Sequence, residues 1–151
     1  MAVFQVVRLG EEILREKALE VKKINSNIHK LLDNMAETMY AAQGVGLAAP
    51  QIGVPKRVVV LDAGDGLLEL INPVIIEKSG KTVDREGCLS VPNVTGDVER
   101  AQKVVVQALN RKGELMEYEA EDLLARIFQH EIDHLDGILF VDIAKKIYRN
   151  E

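Results

Sequence analysis

The amino-acid sequence predicts a single domain of the α+β class. Three observations support this: an amphipathic helix in the first third of the chain, several short β-branched segments in the middle, and a second amphipathic helix near the C-terminus. The strands do not alternate regularly with helices, which favours α+β over α/β. A chain of 151 residues is long enough for one core, and no Pro/Gly/Ser-rich linker divides it. We therefore expect one domain over residues 1–151.

The first helix is predicted from apolar residues at helical spacing, namely Ile28, Leu31, Leu32, Met35 and Met39. Ser26 or Asn27 is the expected N-cap, and the helix is expected to run to about Ala42. Residues 43–53 are small and predict a loop.

The middle of the chain predicts β-strands. The expected strands are Arg57–Leu61, Leu70–Ile76 with an interruption at Asn72-Pro73, Lys103–Leu109 and Glu114–Ala120. Two segments predict turns between them, Asp62–Gly66 and Asn110–Gly113.

The second helix is expected to begin near Glu121 and to end at Gly137 in a left-handed cap. Its buried stripe is predicted to contain Leu124, Ile127, Phe128, Glu131 and Leu135, with a neighbouring stripe of Leu123, Ile127, His130 and His134. Polar groups on such a face need a metal or a hydrogen-bond partner, because burying them unpaired costs several kcal/mol.

This helix carries an H-E-x-x-H pattern in Gln129–His134. A four-residue step returns the second imidazole to the face of the first, so His130 and His134 can hold one divalent metal. Glu131 is then placed to handle the proton of an activated water molecule. The pattern therefore predicts a metal-dependent hydrolase.

A catalytic metal site needs a third protein ligand and an open position. The candidates are Cys88, Asp133, Asp136 or a distant carboxylate, and spacing alone does not choose among them. Asp133 could instead hydrogen-bond the far nitrogen of a ligand histidine or cap the backbone.

Composition excludes several classes of protein. The net charge of −5 and the absence of a dense basic cluster argue against nucleic-acid binding. The chain has no run of about 18 apolar residues, so no membrane span is predicted. Met1–Gly10 lacks the pattern of a signal peptide. A single cysteine fits a reducing compartment, so a cytoplasmic location is expected. His29 is interpreted as a surface residue, and Arg126 as a solvated charge or a partner for a nearby carboxylate.

Three segments, in this order, resemble the signature motifs of the peptide deformylase family. They are Gly44–Gln51, which fits G-φ-G-φ-A-A-x-Q with φ apolar; Glu86–Ser90, which fits E-G-C-φ-S; and His130–His134, which fits H-E-φ-D-H. Every fixed position matches, and the resemblance covers essentially the whole chain. It implies an α+β fold with small antiparallel or mixed sheets packed around the H-E-x-x-H helix.

The resemblance also implies a role for each matching residue. Metal binding would fall to Cys88, His130 and His134, and general acid/base catalysis to Glu131. The formyl oxygen would be held by Gln51 and the backbone N–H of Leu89. Substrate binding would involve the backbone of Gly46, with Val45, Leu89 and Ile127 near the pocket for the first side chain.

The implied reaction is removal of formate from N-formyl-methionine of nascent polypeptides. The implied cofactor is one divalent metal, usually Fe²⁺ in this family, with Zn²⁺, Ni²⁺ or Co²⁺ as alternatives. The implied location is the cytoplasm, with the ribosome surface near the exit tunnel as an implied partner. Two rivals remain: an H-E-x-x-H metalloprotease, and a structural metal-binding module. The second would need a fourth protein ligand, and the chain has no second cysteine.

Overall fold

The computed structural model describes residues 3–150 and has the α+β architecture that the sequence predicts. The helices are α1 (Ser26–Ala41), α2 (Asp122–Leu135) and α3 (Phe140–Ile143), with short 3-10 helices at Glu12–Arg15 and Ala49–Ile52. The strands are β1 (Gly46–Ala48), β2 (Val58–Leu61), β3 (Leu68–Ser79), β4 (Thr82–Cys88), β5 (Val91–Arg100), β6 (Lys103–Leu109), β7 (Leu115–Glu121) and β8 (Lys146–Arg149).

The strands form two antiparallel sheets. The larger sheet has the order β1-β2-β3-β6-β7, and the smaller has the order β4-β5-β8. In these orders β1 and β4 are both edge strands. The two edges matter for the site, because the segments that carry the first two motifs lie along them.

The larger sheet is covered on both faces, and β2 shows why its four residues are all apolar. Val59 and Leu61 belong to the core cluster that contains α2, whereas Val58 and Val60 belong to the cluster that contains α1. Successive side chains of a strand point to opposite faces, so a strand between two helical layers must be apolar at every position. The sheet is therefore the middle layer of the domain.

Helix α2 is the most enclosed element of the fold. Ten of its residues are buried, from Ala125 to Leu135, leaving only Asp133 partly exposed in that segment. Phe128, Ile132 and Leu135 pack in the cluster shared with the larger sheet. The opposite face of α2 turns towards the smaller sheet, where Phe140 stacks 6.1 Å from the His130 ring. The helix is thus fixed between the two sheets.

Two predictions near α1 need correction. The N-cap is Asn25, not Ser26 or Asn27, because its side chain accepts hydrogen bonds from the N–H groups of Asn27 and Ile28. The predicted loop at residues 43–53 contains β1 and a 3-10 helix. Short buried elements made of small residues give too little periodicity for a sequence pattern to reveal them.

The strand prediction needs correction in two places. Strand β3 continues through Asn72-Pro73, because a bulge with Asn72 at φ 53° accommodates the proline, and the Asn72 amide pairs with the backbone of Val21. The smaller sheet was not predicted. Its strand β4 is mostly exposed and polar, so it lacks apolar alternation.

Other predicted features are confirmed. Strand β6 has the predicted bounds, and Gly137 follows α2 at φ 76° in the left-handed region. The interpretation of His29 as a surface residue is the exception and needs correction, because its side chain is part-buried and its ring nitrogen lies 2.6 Å from the carbonyl oxygen of Arg111. Within residues 3–150, no helix is long and apolar enough to cross a membrane.

The cap after α2 predicts a stability difference between two glycines. Gly137 and Gly53 have similar φ values, 76° and 82°, but a Cβ on Gly137 would lie 2.5 Å from the carbonyl oxygen of Arg15 and one on Gly53 would meet nothing within 4 Å. Gly53→Ala should lower the free energy of unfolding by about 1–2 kcal/mol, the cost of the left-handed conformation. Gly137→Ala should cost at least about 1 kcal/mol more, because backbone must also move.

Urea unfolding of both variants measures this difference through the transition midpoints. Equal midpoints for the two variants would show that the contact with Arg15 carries no energetic cost.

Candidate metal centre and active site

The structure brings together three candidate metal ligands from two elements. Helical spacing puts the His130 and His134 rings 5.1 Å apart, and Cys88 reaches them from the end of β4. The Cys88 Sγ lies 3.3 Å from His134 Nε2, and one ligand atom from each of the three residues lies within 4.8 Å of the others. Of the alternatives that the sequence left open for the third ligand, Cys88 has this geometry.

The two aspartates considered as third ligands are engaged elsewhere. Asp133 forms an ion pair with Arg100, and Asp136 forms one with Arg57 at 3.0 Å. The predicted hydrogen bond from Asp133 to a ligand histidine is therefore replaced by the ion pair with Arg100.

That role belongs to Glu86, which is the first residue of the second motif. One carboxylate oxygen of Glu86 lies 2.9 Å from His130 Nδ1. Arg100 donates to both oxygens at 2.9 Å, and Arg126 donates to one at 2.6 Å. All four side chains are at most 10% exposed. Glu86 thus fixes the His130 ring and leaves its Nε2 facing the other two ligands.

The charges around Glu86 fit this arrangement. Burial opposes ionisation of Glu86, but hydrogen bonds from Arg100 and His130 outweigh it and lower the pKa of its carboxyl to about 2. Burial disfavours the charged form of His130, yet Cys88 and Glu86 raise the pKa of this imidazole to about 10. Burial and the charge of His130 hold the pKa of His134 well below its usual value. The surroundings of the two imidazoles therefore favour positive charge at His130 and disfavour it at His134.

A divalent metal fits these residues. Thiolate and neutral imidazole are common ligands for Zn²⁺ and other transition metals, and three protein ligands leave one position for water or substrate. The stabilisation of positive charge at His130 is consistent with a cation in the same place, because the same anionic groups would stabilise it.

Glu131 lies beside this cluster and is 5% exposed. Its Oε1 atom has no hydrogen-bond partner among residues 3–150. Burial raises the pKa of its carboxyl to about 7; His130 acts against this rise and Glu86 adds to it. A carboxyl group with a pKa near neutrality suits both acceptance and donation of a proton.

Gly46 in β1 explains how the carboxylate of Glu131 fits against the strand. A Cβ on Gly46 would lie 2.5 Å from Glu131 Oε2 and 2.9 Å from its carboxyl carbon. Any side chain here would displace the acid, so the glycine of the first motif is required for close approach of strand and helix.

Gln51 and Leu89 border the ligands from the other side. The Gln51 side chain accepts a hydrogen bond from the N–H of Ala48 at 2.9 Å and donates to Ser90 Oγ at 3.1 Å. Its amide nitrogen lies 3.5 Å from Cys88 Sγ. Leu89 occupies the turn between β4 and β5. The fixed amide therefore faces the cysteine as a hydrogen-bond donor.

A cavity of about 440 Å³ opens onto these groups. Among its lining residues are the sequence-predicted Val45, Gly46, Gln51, Cys88, Leu89, Ile127, His130 and Glu131. His134, the third member of the candidate ligand cluster, is 1% exposed. Ile127 is buried, whereas Val45 is half exposed at the rim.

Two residues of the site had no role in the sequence analysis. Glu86 stood in a recognised motif but without a function. Arg126 was interpreted as a solvated charge or a partner for a nearby carboxylate, and the second alternative is confirmed by its ion pair with Glu86, although no role in the site was predicted. Arg126 is 6% exposed and lines the cavity. Helical spacing could have indicated its position, because it lies four residues before His130 and therefore on the same face.

Comparisons with known proteins agree with the fold and the motifs. The sequence model of the polypeptide deformylase family matches residues 3–150. A peptide deformylase of Desulfitobacterium hafniense is 66% identical over 149 residues, covering 99% of each chain. One of Carboxydothermus hydrogenoformans is 64% identical over 149 residues, covering 99% of this chain and 98% of the relative.

Solved structures give the same result. A peptide deformylase of Thermotoga maritima superposes with a TM-score of 0.93 at 42% identity, covering 95% of this chain and 98% of that one. A peptide deformylase of Acinetobacter baumannii with bound Met-Ala-Ser has a TM-score of 0.90 at 41% identity, covering 93% and 98% of the two chains.

The Glu86 contacts predict a loss of metal affinity in Glu86→Gln. The variant should bind metal about 10–100-fold more weakly, the usual effect of removing the partner of a ligand histidine. Chelator competition on the purified protein measures the affinity directly. Asp133→Asn is the matched control, because it removes a partner of Arg100 that does not contact His130, and its affinity should change less. Equal affinities of Glu86→Gln and the wild type would contradict the positioning role.

Proposed function

Because this chain belongs to the polypeptide deformylase family, and so removes the formyl group from N-formyl-methionine of newly made polypeptides, we propose how its residues do so. In the proposal, residues 1–151 form one domain, and the metal is held by Cys88, His130 and His134. The observation that carries this is the convergence of those three ligand atoms next to the buried Glu131 carboxylate, whose Oε1 has no hydrogen-bond partner within residues 3–150.

A bound divalent cation supplies a water molecule of lowered pKa and polarises the formyl carbonyl group. We propose Fe²⁺ as the native ion, with Zn²⁺, Ni²⁺ or Co²⁺ as substitutes. The thiolate of Cys88 makes the ligand set softer than a set of two histidines and a carboxylate, which is compatible with all four ions.

Glu131 is the proposed general acid/base. As its carboxylate, it takes the proton of the attacking water, and as its carboxylic acid it gives that proton to the leaving amine. Its burial and its pKa of about 7 support both halves of this role at neutral pH. The close approach to Gly46 restricts where the carboxylate can lie.

Gln51 and the backbone N–H of Leu89 are the proposed donors to the formyl oxygen as negative charge develops on it. The hydrogen bonds of Gln51 with Ala48 and Ser90 hold its amide in place before substrate arrives. Such fixed donors contribute strongly because they need no reorganisation during the reaction, and removal of one typically costs about 10²–10³ in turnover.

Substrate binding is proposed to extend the larger sheet. Strand β1 is an edge strand, so its backbone at Gly46 can pair with an extended peptide. The first side chain enters the cavity near Val45, Leu89 and Ile127. Binding of Met-Ala-Ser by the Acinetobacter relative supports a methionyl peptide as the ligand of this site.

The proposed setting is the cytoplasm, near the ribosome surface where nascent chains emerge. A single cysteine that is free and close to two histidines suits a reducing compartment. Formyl-methionyl chains are the expected partners there.

The reaction is tested with wild-type protein and Glu131→Ala on formyl-Met-Ala-Ser. The wild type should release formate, and the variant should lose at least about 10²-fold in turnover while it keeps its metal. Formate detection and elemental analysis on the same samples separate catalysis from metal loss. Near-wild-type turnover in Glu131→Ala would remove this residue from the mechanism, and cleavage of internal bonds in N-acetylated peptides would favour a metalloprotease.

The contact between β1 and α2 predicts that Gly46→Ala lowers turnover by at least about 10-fold, because the new Cβ displaces the Glu131 carboxylate. Gly53→Ala is the control, because its Cβ would meet nothing within 4 Å and Gly53 does not line the cavity. Turnover numbers at saturating substrate compare the two variants. An equal or larger loss in Gly53→Ala would mean that Gly46 does not position the acid.

The ligand assignment predicts that Cys88→Ala loses metal after dialysis, because only two of the three protein ligands remain. Elemental analysis of the dialysed variant measures the metal content. Full metal occupancy in Cys88→Ala would exclude Cys88 as a ligand.

The identity of the metal is tested in wild-type protein purified with and without oxygen. With Fe²⁺ as the native ion, anaerobic preparations should contain iron and keep their activity, and air should inactivate them as the thiolate and iron oxidise.

A further inference from the structure

One wall of the cavity is a single face of α2. This face contributes residues three and four positions apart, namely Leu123, Arg126, Ile127, His130 and Glu131. Of these, His130 is a proposed metal ligand, Glu131 is the proposed acid/base, and Leu123 and Ile127 are apolar. Arg126 is the member whose chemistry the proposed reaction does not use.

The head group of Arg126 is fully engaged with the smaller sheet. Its Nη1 donates to Glu86 Oε2 at 2.6 Å and to the carbonyl oxygen of Val98 at 2.8 Å. Its Nη2 donates to the carbonyl oxygen of Thr82 at 3.1 Å and to Thr82 Oγ1 at 2.8 Å. The side chain is 7% exposed. The Arg126 side chain therefore spans the gap from α2 to β4 and β5 in a fixed conformation; it is called the Arg126 bar below.

These contacts determine which part of the Arg126 side chain can contact a substrate in the cavity. A guanidinium with four hydrogen bonds cannot move aside cheaply, because each broken bond would leave a buried polar group unpaired. The methylene stem of Arg126 is left to join Leu123 and Ile127 in an apolar wall, as long basic side chains often do.

We infer that Arg126 is a specificity-determining residue that closes the side-chain pocket and limits the length of the first side chain of the substrate. The inference rests on the proposed function, since it takes the cavity as the pocket for that side chain. Unbranched side chains as long as that of methionine fit, and longer ones meet the Arg126 bar.

The test compares two formyl tripeptides that differ only in length of the first side chain. One carries norleucine, which has the length of methionine without its sulfur, and the other carries 2-aminooctanoate, which is two methylenes longer. The wild type should prefer the norleucine peptide by at least about 10-fold in kcat/KM, because a single misfitting methylene is worth about 10–200-fold. Arg126→Ala should reduce this preference at least about 10-fold, mainly by raising kcat/KM for the peptide with the longer side chain.

The ratio of the two values is the readout, because general damage to the metal site lowers both and cancels. Arg126→Leu is the second shortened variant and retains apolar packing on the helix if the alanine variant does not fold; its preference should also fall. Arg126→Lys is the matched control, which keeps a long stem with a charged end that can donate to Glu86, and its preference should stay within about 3-fold of the wild type.

An unchanged preference in the folded shortened variants would overturn the inference, as would a wild type that accepts both peptides equally. Both results would leave formate release intact and so would not affect the proposed function. Absence of formate release from any formyl peptide by metal-loaded wild type would instead refute the proposed function.

Discussion

The buried carboxylate of Glu86 joins the parts of the molecule that the site requires. It is part of β4, it receives hydrogen bonds from Arg100 of β5 and from Arg126 of α2, and it contacts His130 on the same helix. Removing one member of such a buried ionic network typically costs about 3–5 kcal/mol, because the remaining charges lose their compensation. The position of Cys88 relative to the histidines depends on this junction, since the cysteine lies two residues after Glu86.

The same junction connects the candidate metal ligands with the cavity. His130 contacts one carboxylate oxygen of Glu86, and Arg126, which lines the cavity, donates to the other. One set of buried charges therefore orients a candidate ligand and anchors a residue of the cavity wall. The apolar layers on either side of the larger sheet keep α2 fixed, so that these polar contacts need not supply the stability of the fold by themselves.

Glu131, the proposed acid/base residue, illustrates how packing shifts the pKa of a carboxyl group. Glu131 is enclosed because β1 approaches α2 at a glycine, and enclosure raises the pKa of its carboxyl. Gly46 of the first motif and Glu131 of the third, about 85 residues apart in sequence, are thus in direct contact, and the first motif shapes the surroundings of the Glu131 carboxyl group. A side chain at Gly46 would separate them.

The sequence by itself determined the fold class, both long helices, strands β2, β6 and β7, and the family, because these depend on local apolar periodicity and on motifs of fixed spacing. It also placed His130 and His134 on one helical face, since a helix repeats every 3.6 residues. Only the tertiary structure decided which of the candidate third ligands lies beside the two histidines, why Arg126 is buried, and that Glu86 rather than Asp133 contacts His130. These depend on the smaller sheet, whose mostly exposed polar strand β4 has no periodic signal, and on contacts between residues 40 to 46 positions apart.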